Sequence, residues 1–264
     1  MTATTRDALL VDLAAELRTA AATRQPVEPL TERFPGLGVD EAYAVQELNA
    51  SARQAAGDPV VGRKIGLTSK AMQEMLGVAE PDYGRIYASE LLPSGASVRR
   101  ADLIAARVEP EIAFIMAHGL RGPDVTSAEV LAATEAVAPA LEVIDSRVAD
   151  WRIKLVDTVA DNASCARVVL GRQRTDPAEV DLATAAVHLR VDGDVVQEGT
   201  GAAVLGHPAE AVAWLVRTLH RYGGGLAGGD VVMPGSMTAA VPFERGSHVV
   251  ADFGALGTVE VLAR

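Results

Sequence analysis

The sequence is poor in cysteine, in aromatic side chains and in long apolar runs. Its single cysteine, Cys165, excludes an intramolecular disulfide and is compatible with a reducing compartment. No apolar run approaches the roughly 20 residues that a membrane-spanning helix needs. The N-terminus also lacks the continuous apolar core of a secretion signal. We therefore expect a cytoplasmic protein without a membrane segment.

Basic residues are also in the minority. The chain has 35 acidic against 24 basic residues, which gives a net charge of -11. Such a surface repels the phosphates of nucleic acids, and an aromatic content of 4% offers no platform on which single-stranded bases could stack. Nucleic acid is thus not an expected partner. A small organic acid would need a local cation or metal ion to be held against this charge.

The first 58 residues have the pattern of helices. The 264 residues, 49% of them hydrophobic, suffice for a full core. Leu9, Leu13 and Leu17 recur at helical spacing, and a second helix is predicted from Asp40 to a stop at Gly57. We therefore expect a small helical N-terminal region over residues 1–58.

From residue 59 onward, short β-type runs alternate with glycine-rich turns. Asp192-Gly193 between two alternating apolar runs predicts a hairpin, and Thr126-Ser-Ala-Glu129 is a capping box that opens a helix. The strands follow one another in hairpins more often than in strand–helix–strand units. The sequence therefore predicts an α+β fold, with residues 59–264 forming a β-rich catalytic domain of mainly antiparallel strands.

Three glutamates in apolar strand-like segments are the strongest candidates for chemistry. Side chains alternate along a strand, so Glu109 and Glu111 share one face while Ile112 and Phe114 lie on the other. Glu142 stands in a further apolar run, residues 139–144. Three carboxylates without a neighbouring histidine or thiolate suit a hard cation such as Mg²⁺ or Mn²⁺.

The same pattern has a plainer interpretation. Alternating glutamates are common on a strand with one solvated face, and Glu142 could pair with an arginine such as Arg147. Spacing alone does not decide between a solvated face and a metal site. Other chemistries have less support, because the five histidines are scattered and the glycine-rich stretch 223–229 lacks the residues of a phosphate-binding loop.

Five blocks of sequence carry a likeness to a known family. They are Gly62-Arg-Lys-Ile-Gly-Leu-Thr-Ser69, Pro81-Asp-Tyr-Gly84, Val108-Glu-Pro-Glu-Ile-Ala-Phe114, Pro139-Ala-Leu-Glu-Val-Ile-Asp-Ser-Arg147 and Asp157-Thr-Val-Ala-Asp-Asn-Ala-Ser164. In this order they resemble the 2-keto-4-pentenoate hydratase family, within the wider fumarylacetoacetate hydrolase superfamily. The likeness runs from about Leu9 to the C-terminus.

The resemblance implies a fold, a cofactor and a reaction. The fold would be the β-rich one of that superfamily, with Mg²⁺ or Mn²⁺ held by Glu109, Glu111 and Glu142. The reaction would be the hydration of 2-hydroxypenta-2,4-dienoate to 4-hydroxy-2-oxopentanoate in the breakdown of aromatic rings or steroids. A homo-oligomer is also implied, and its association with the next enzyme of the pathway is a further hypothesis.

The resemblance also implies two catalytic residues. Lys64 matches the family's active-site lysine, and a lysine desolvated near a metal can have a lowered pKa and act as acid or base. Asp82, in a segment that looks like a turn, matches an aspartate suited to proton transfer or to orienting the attacking water.

Two further residues are candidates for substrate binding. Ser164 is the expected side-chain donor, while Asp161 and Asn162 hold its loop. Leu67 could offer its backbone amide to the substrate carboxylate, beside the N-terminus of a helix that follows.

Three alternative functions stay open. A decarboxylase of 2-oxohex-3-enedioate (4-oxalocrotonate) shares most of these motifs, although residues 148–153 and 157–159 look more like the hydratase. An acylpyruvate-type C–C hydrolase would need a dedicated base for water, and no histidine motif stands in a matching place. An inactive partner subunit is disfavoured by the intact Lys64, Asp82 and glutamates.

Overall fold

The computed structural model describes residues 3–69, 73, 78 and 80–264. Six α-helices lie within this described part. They are α1 (Ala3–Thr23), α2 (Leu30–Arg33), α3 (Val39–Ala55), α4 (Ser127–Ala132), α5 (Leu155–Ala160) and α6 (Pro208–Arg221). None of them combines the length and apolar content that crossing a bilayer demands.

Thirteen strands form two sheets in the same described residues. They are β1 (Val60–Gly66), β2 (Asp82–Tyr87), β3 (Leu91–Pro93), β4 (Ala96–Val98), β5 (Arg107–Met116), β6 (Thr134–Ile144), β7 (Cys165–Leu170), β8 (Ala186–Val191), β9 (Asp194–Thr200), β10 (Val231–Met233), β11 (Val241–Pro242), β12 (His248–Asp252) and β13 (Thr258–Ala263). The larger sheet has the order β2-β1-β10-β5-β6-β7-β3, with β11 also paired to β5, and the smaller has β4-β13-β12-β8-β9. Most pairs are antiparallel, the parallel ones being β1–β10, β3–β7 and β4–β13. The predicted α+β class is confirmed.

The larger sheet curls until its inner face encloses a small interior. Lys64 on β1 lies 3.3 Å from Glu142 on β6, although β10 and β5 separate the two strands within the sheet. Strand β2 also contacts β7 from the other end. Strand twist accumulates across a sheet of this width and brings its ends together. One end of the interior is polar, and the other is filled by an apolar cluster made of Ile86, Ala113, Ala140, Cys165, Val168, Val231 and Met233.

The outer face of the curled sheet packs into the main hydrophobic core. Phe114 and Val143 point into this core, because they alternate with the inward-facing residues of β5 and β6. The N-terminal helices join the same core through Leu13 and Leu17. Burial of so many apolar side chains is the dominant stabilising contribution to such a fold.

A buried glutamine joins α3 to the part of the fold that carries Asp82. The Gln46 amide donates to the carbonyl oxygen of Tyr83 on β2 at 3.0 Å and to that of Val159 on α5 at 2.9 Å. Its side chain is 1% exposed, so these bonds satisfy an amide that would otherwise be costly to bury. The helical N-terminal region is therefore fixed to the sheet by polar contacts as well as apolar ones.

The local signals in the sequence give the structures that they predict. Asp192 and Gly193 both have left-handed φ, at 54° and 97°, as a two-residue hairpin turn between β8 and β9 requires. Thr126 caps α4, accepting from the Glu129 amide at 3.3 Å and donating its own amide to that carboxylate at 2.9 Å. The helix predicted from Asp40 begins one residue earlier and ends just before Gly57.

Candidate active site and metal centre

Three carboxylates converge at the polar end of the interior. Glu109 on β5 stands directly opposite Glu142 on β6, and Glu111 follows two residues along on the same face. One oxygen from each lies within 4.8 Å of the others. Glu111 and Glu142 are fully buried, and Glu109 is partly exposed. The solvated-face interpretation is therefore wrong for Glu111, and the suggested partner of Glu142, Arg147, pairs with Asp161 instead.

These buried carboxylates receive few hydrogen bonds, and one cation, Lys64, lies beside Glu142. Within the described part of the chain, Glu111 Oε1 and both oxygens of Glu142 have no hydrogen-bond partner. Glu111 Oε2 accepts from the Gly235 amide at 2.8 Å. Burial, and then the charge of Glu142, raises the pKa of Glu109 to about 7 and raises that of Glu111 as well. Burial also raises the pKa of Glu142, which Lys64 opposes. The cluster is thus short of positive charge.

A divalent cation fits this deficit. The donors are all carboxylate oxygens, which hard cations prefer, and their separation matches an ion that binds oxygen at about 2.0–2.6 Å. A single ion would give the unpartnered oxygens of Glu111 and Glu142 a ligand and would offset the repulsion among the three glutamates.

Lys64 reaches this cluster from the opposite wall of the interior. Its side chain is almost fully buried, and Nζ donates to the Ala163 carbonyl at 2.8 Å and lies 3.3 Å from Glu142 Oε2. Burial lowers the pKa of Lys64, but the charges of Glu142 and Asp82 more than compensate and raise it above its usual value. Two carboxylates therefore face the amine and favour its ammonium form, which can donate a proton. The lowered pKa that the sequence suggested for Lys64 beside a bound metal stays a prediction.

Asp82 lies beside Lys64 and begins a strand instead of forming a turn. Pairing with Gly66 extends the β1–β2 ladder as far as Asp82, which corrects the turn expected from the sequence. Asp82 Oδ2 accepts from the Thr158 hydroxyl at 3.0 Å. A Cβ on Gly66 would lie 2.3 Å from Asp82 Oδ1 and 3.4 Å from Lys64 Nζ, so this approach requires glycine. Burial raises the pKa of Asp82 although Lys64 opposes the shift.

The two predicted substrate-binding residues lie next to these groups. Ser164 follows the residue whose carbonyl accepts from Lys64, and its buried Oγ has no hydrogen-bond partner in the described residues. Leu67 directly follows β1 with a left-handed φ of 57°, and its carbonyl accepts from the Gln73 side chain at 2.8 Å. The helix predicted after Leu67 falls mostly outside the described residues.

The expectation that Asp161 and Asn162 hold the loop is confirmed. Asp161 forms a buried ion pair with Arg147, and Asn162 binds the backbone of Arg85 on the neighbouring strand. Cys165 is buried, and burial raises the pKa of its thiol, so it has no nucleophilic character.

Several groups at the site leave little trace in the sequence. They are the backbone amide of Gly235, the carbonyl of Ala163, the hydroxyl of Thr158 and the space left by Gly66. Two are backbone atoms, which every residue possesses, so only the fold can single them out. The glycines could have been noted as places of close approach, and Gly235 meets that condition too, since a Cβ there would lie 2.0 Å from Thr68 Oγ1.

Comparison with known proteins defines the class. The chain matches the model of the fumarylacetoacetate (FAA) hydrolase C-terminal domain over residues 68–262, and it belongs to this family. Among characterised relatives, a 2-hydroxyhexa-2,4-dienoate hydratase from Comamonas testosteroni is 45% identical and covers 92% of each chain. A 2-hydroxypent-2,4-dienoate hydratase from Pseudomonas putida is 47% identical over 81% of this chain and 97% of its own.

A solved structure is similar along the whole chain. The 4-oxalocrotonate decarboxylase from Pseudomonas putida G7, complexed with magnesium and adipate, aligns with a TM-score of 0.96 at 34% identity. The alignment covers 100% of this chain and 99% of the decarboxylase. The predicted family membership is thus confirmed, and the chain is similar to hydratases in sequence and to a decarboxylase in structure.

Proposed function

We propose that this chain is a divalent-metal-dependent hydratase that converts 2-hydroxypenta-2,4-dienoate to 4-hydroxy-2-oxopentanoate. The observation that carries the proposal is the buried carboxylate cluster of Glu109, Glu111 and Glu142 facing Lys64 and Asp82 across one interior. Similarity to dienoate hydratases at 45% and 47% identity supports the same reaction.

The three glutamates would hold Mg²⁺ or Mn²⁺. The bound cation supplies positive charge that binds the carboxylate and 2-oxygen of a 2-oxo acid and stabilises negative charge on that oxygen. The glutamates themselves orient this charge, since Glu111 is fixed by the Gly235 amide and Glu142 by its place opposite Glu109. The apolar cluster at the far end of the interior excludes water from below the site.

Lys64 and Asp82 carry the proton transfers in this proposal. The dienol loses its 2-hydroxyl proton and takes a proton at C5, which makes the 3-enone without changing the number of protons. Water then adds at C4, giving up one proton to the site while one proton is delivered to C3. Lys64 Nζ holds a proton that it can give to carbon, and Asp82 Oδ1 can take the proton released by the attacking water. Ser164 Oγ and the Leu67 amide are the proposed donors to the substrate.

The test is an assay of purified protein with freshly prepared 2-hydroxypenta-2,4-dienoate and Mg²⁺, following loss of the diene absorbance. We expect turnover that EDTA abolishes and added Mg²⁺ restores. Glu111→Gln should lose this activity while keeping the far-UV circular dichroism of the parent. Glu135→Gln, which changes an exposed glutamate on β6, is the matched control and should keep the activity. Turnover that is insensitive to EDTA, or full activity of Glu111→Gln, would refute the proposal.

Decarboxylation of 2-oxohex-3-enedioate is the second candidate. It is favoured by the TM-score of 0.96 to the 4-oxalocrotonate decarboxylase at 34% identity. Both reactions need the same positive charge at the 2-oxygen, so the site chemistry is shared. Release of carbon dioxide from the dicarboxylate, without hydration of the dienoate, would favour the decarboxylase.

We further propose that the protein works in the cytoplasm as a homo-oligomer, with the next enzyme of its pathway as a partner. All the proposed site residues lie between residues 59 and 264, and helices α1 to α3 pack against the same core. Light scattering of the purified protein tests the oligomer, and co-purification from cells tests the partner.

A further inference from the structure

Three consecutive residues of the site have an unusual backbone conformation. Asn162, Ala163 and Ser164 all have left-handed φ, at 55°, 49° and 56°. Residues with a Cβ rarely adopt this conformation singly and very seldom three times in succession. Such strain persists only where the surrounding structure holds it, and it is often found at functional sites.

The side chain of Asn162 holds this left-handed turn (residues 162–164) against β2. Its Oδ1 accepts from the Arg85 amide at 2.8 Å, and its Nδ2 donates to the Arg85 carbonyl at 2.9 Å. One amide side chain thus makes both hydrogen bonds that a neighbouring strand would make. Gly84 permits the close approach, because a Cβ there would lie 2.3 Å from the Asn162 carbonyl oxygen.

The turn carries the acceptor that orients Lys64. The Ala163 carbonyl accepts from Lys64 Nζ at 2.8 Å, a shorter contact than the 3.3 Å to Glu142 Oε2. A lysine side chain has a flexible stem of four carbons, so a fixed acceptor is needed to hold its ammonium group in one position. Ser164 continues from the same turn, so its hydroxyl moves with the carbonyl of Ala163.

We propose that Asn162 is a positioning residue for catalysis, acting through the left-handed turn on Lys64. Its side chain binds the backbone of Arg85 on β2, and it thereby fixes the Ala163 carbonyl and hence the direction of the Lys64 ammonium group. The kinetic part of this inference rests on the proposed hydratase function. Its structural part, the immobilisation of Lys64, does not depend on the reaction.

The test compares two glycine substitutions in the Mg²⁺-loaded enzyme. Asn162→Gly removes both hydrogen bonds to Arg85 while tolerating the left-handed φ. Asp192→Gly is the matched control, since Asp192 is also left-handed and its carboxylate accepts from the His248 amide at 2.8 Å, but in the β8–β9 hairpin. We expect kcat of Asn162→Gly to fall by about ten- to a hundred-fold, the cost of displacing a catalytic group by about 1 Å.

Two further readouts separate positioning from general damage. The Kd for Mn²⁺, measured by electron paramagnetic resonance, should stay within about two-fold of the parent, because the three glutamate ligands are untouched. Reductive methylation of Lys64, followed by peptide mass spectrometry, should become faster in Asn162→Gly and stay unchanged in Asp192→Gly. Gly84→Ala, which pushes the turn away while keeping Asn162, should reproduce the kinetic pattern of Asn162→Gly.

The outcomes separate this inference from the proposed function. Unchanged kcat and unchanged Lys64 methylation in Asn162→Gly would overturn the inference, and so would an equal loss in Asp192→Gly. If the parent protein does not hydrate the dienoate, the proposed function fails. The methylation rates then still decide whether Asn162 immobilises Lys64.

Discussion

Replacing Glu109 by glutamine should stabilise the metal-free protein although it damages the site. Glu109 faces Glu142 across the β5–β6 pair, and burial together with the Glu142 charge raises its pKa from 4.5 to about 7. Glutamine has nearly the same shape without the charge. The substitution therefore removes the cost of burying this charge beside Glu142, a cost that a bound cation would offset.

The magnitude follows from the pKa and its sign. A carboxyl group whose pKa is higher in the folded state binds more protons there, so stability is lost as pH rises from about 4.5 through about 7. The loss in the free energy of unfolding is about 3 kcal/mol, at 1.36 kcal/mol per pKa unit. This value is an upper bound, because Glu109 is partly exposed and solvent screens its charge. Glu109→Gln does not lose this stability. Its free energy of unfolding should therefore exceed that of the parent by about 3 kcal/mol at pH 8 and by about 1 kcal/mol at pH 5.

Urea unfolding in EDTA at these two pH values measures the difference, with protein concentration held constant because an oligomer would make stability concentration-dependent. In a second series of unfolding experiments, saturating Mn²⁺ should stabilise the parent and should stabilise Glu109→Gln much less. Glu135→Gln, on an exposed site of β6, controls for the loss of one negative charge. If Glu109→Gln is no more stable than the parent in EDTA at pH 8, or gains equally from Mn²⁺, the reasoning about the shared site fails.

Three further predictions follow from the same geometry. Lys64→Met should lower kcat by about a hundred-fold or more, as expected for loss of a proton donor. The same variant should bind Mn²⁺ more tightly in isothermal titration calorimetry, because it lacks the positive charge that lies 3.3 Å from Glu142. Mn²⁺ affinity of the parent should increase as pH rises through about 7, where Glu109 loses its proton; a flat profile by calorimetry would contradict this. Thr158→Val, which removes the hydroxyl that donates to Asp82 at 3.0 Å, should lower kcat by about ten-fold in the diene absorbance assay and leave Mn²⁺ affinity unchanged. Full activity of that variant would show that Asp82 needs no fixed orientation.

The sequence determined the elements and their faces because these depend on local periodicity. Side chains alternate along any strand, so Glu109 and Glu111 had to share a face opposite Ile112 and Phe114. Asp192-Gly193 and the Thr126 capping box are local too, and they specify a turn and a helix start without distant contacts. The resemblance of five blocks to a known family added the proposed metal ligands and the two proposed proton-transfer residues, which spacing alone had left undecided.

Only the tertiary structure decided which of these residues are in contact and how their contacts shift their pKa values. The curl of the larger sheet brings Lys64 to Glu142 across two intervening strands, and that proximity outweighs the lowering of the Lys64 pKa that burial alone would cause. Register, not a local turn signal, makes Asp82 a strand residue opposite Gly66. The charge on a group and the direction of its hydrogen bond depend on neighbours that are distant in sequence. Lys64 and the Ala163 carbonyl that accepts its hydrogen bond are an example, since their sequence separation is 99. A sequence pattern can therefore identify the acids and the amine. Their protonation states and the directions of their side chains are set by tertiary contacts, which form only in the folded chain.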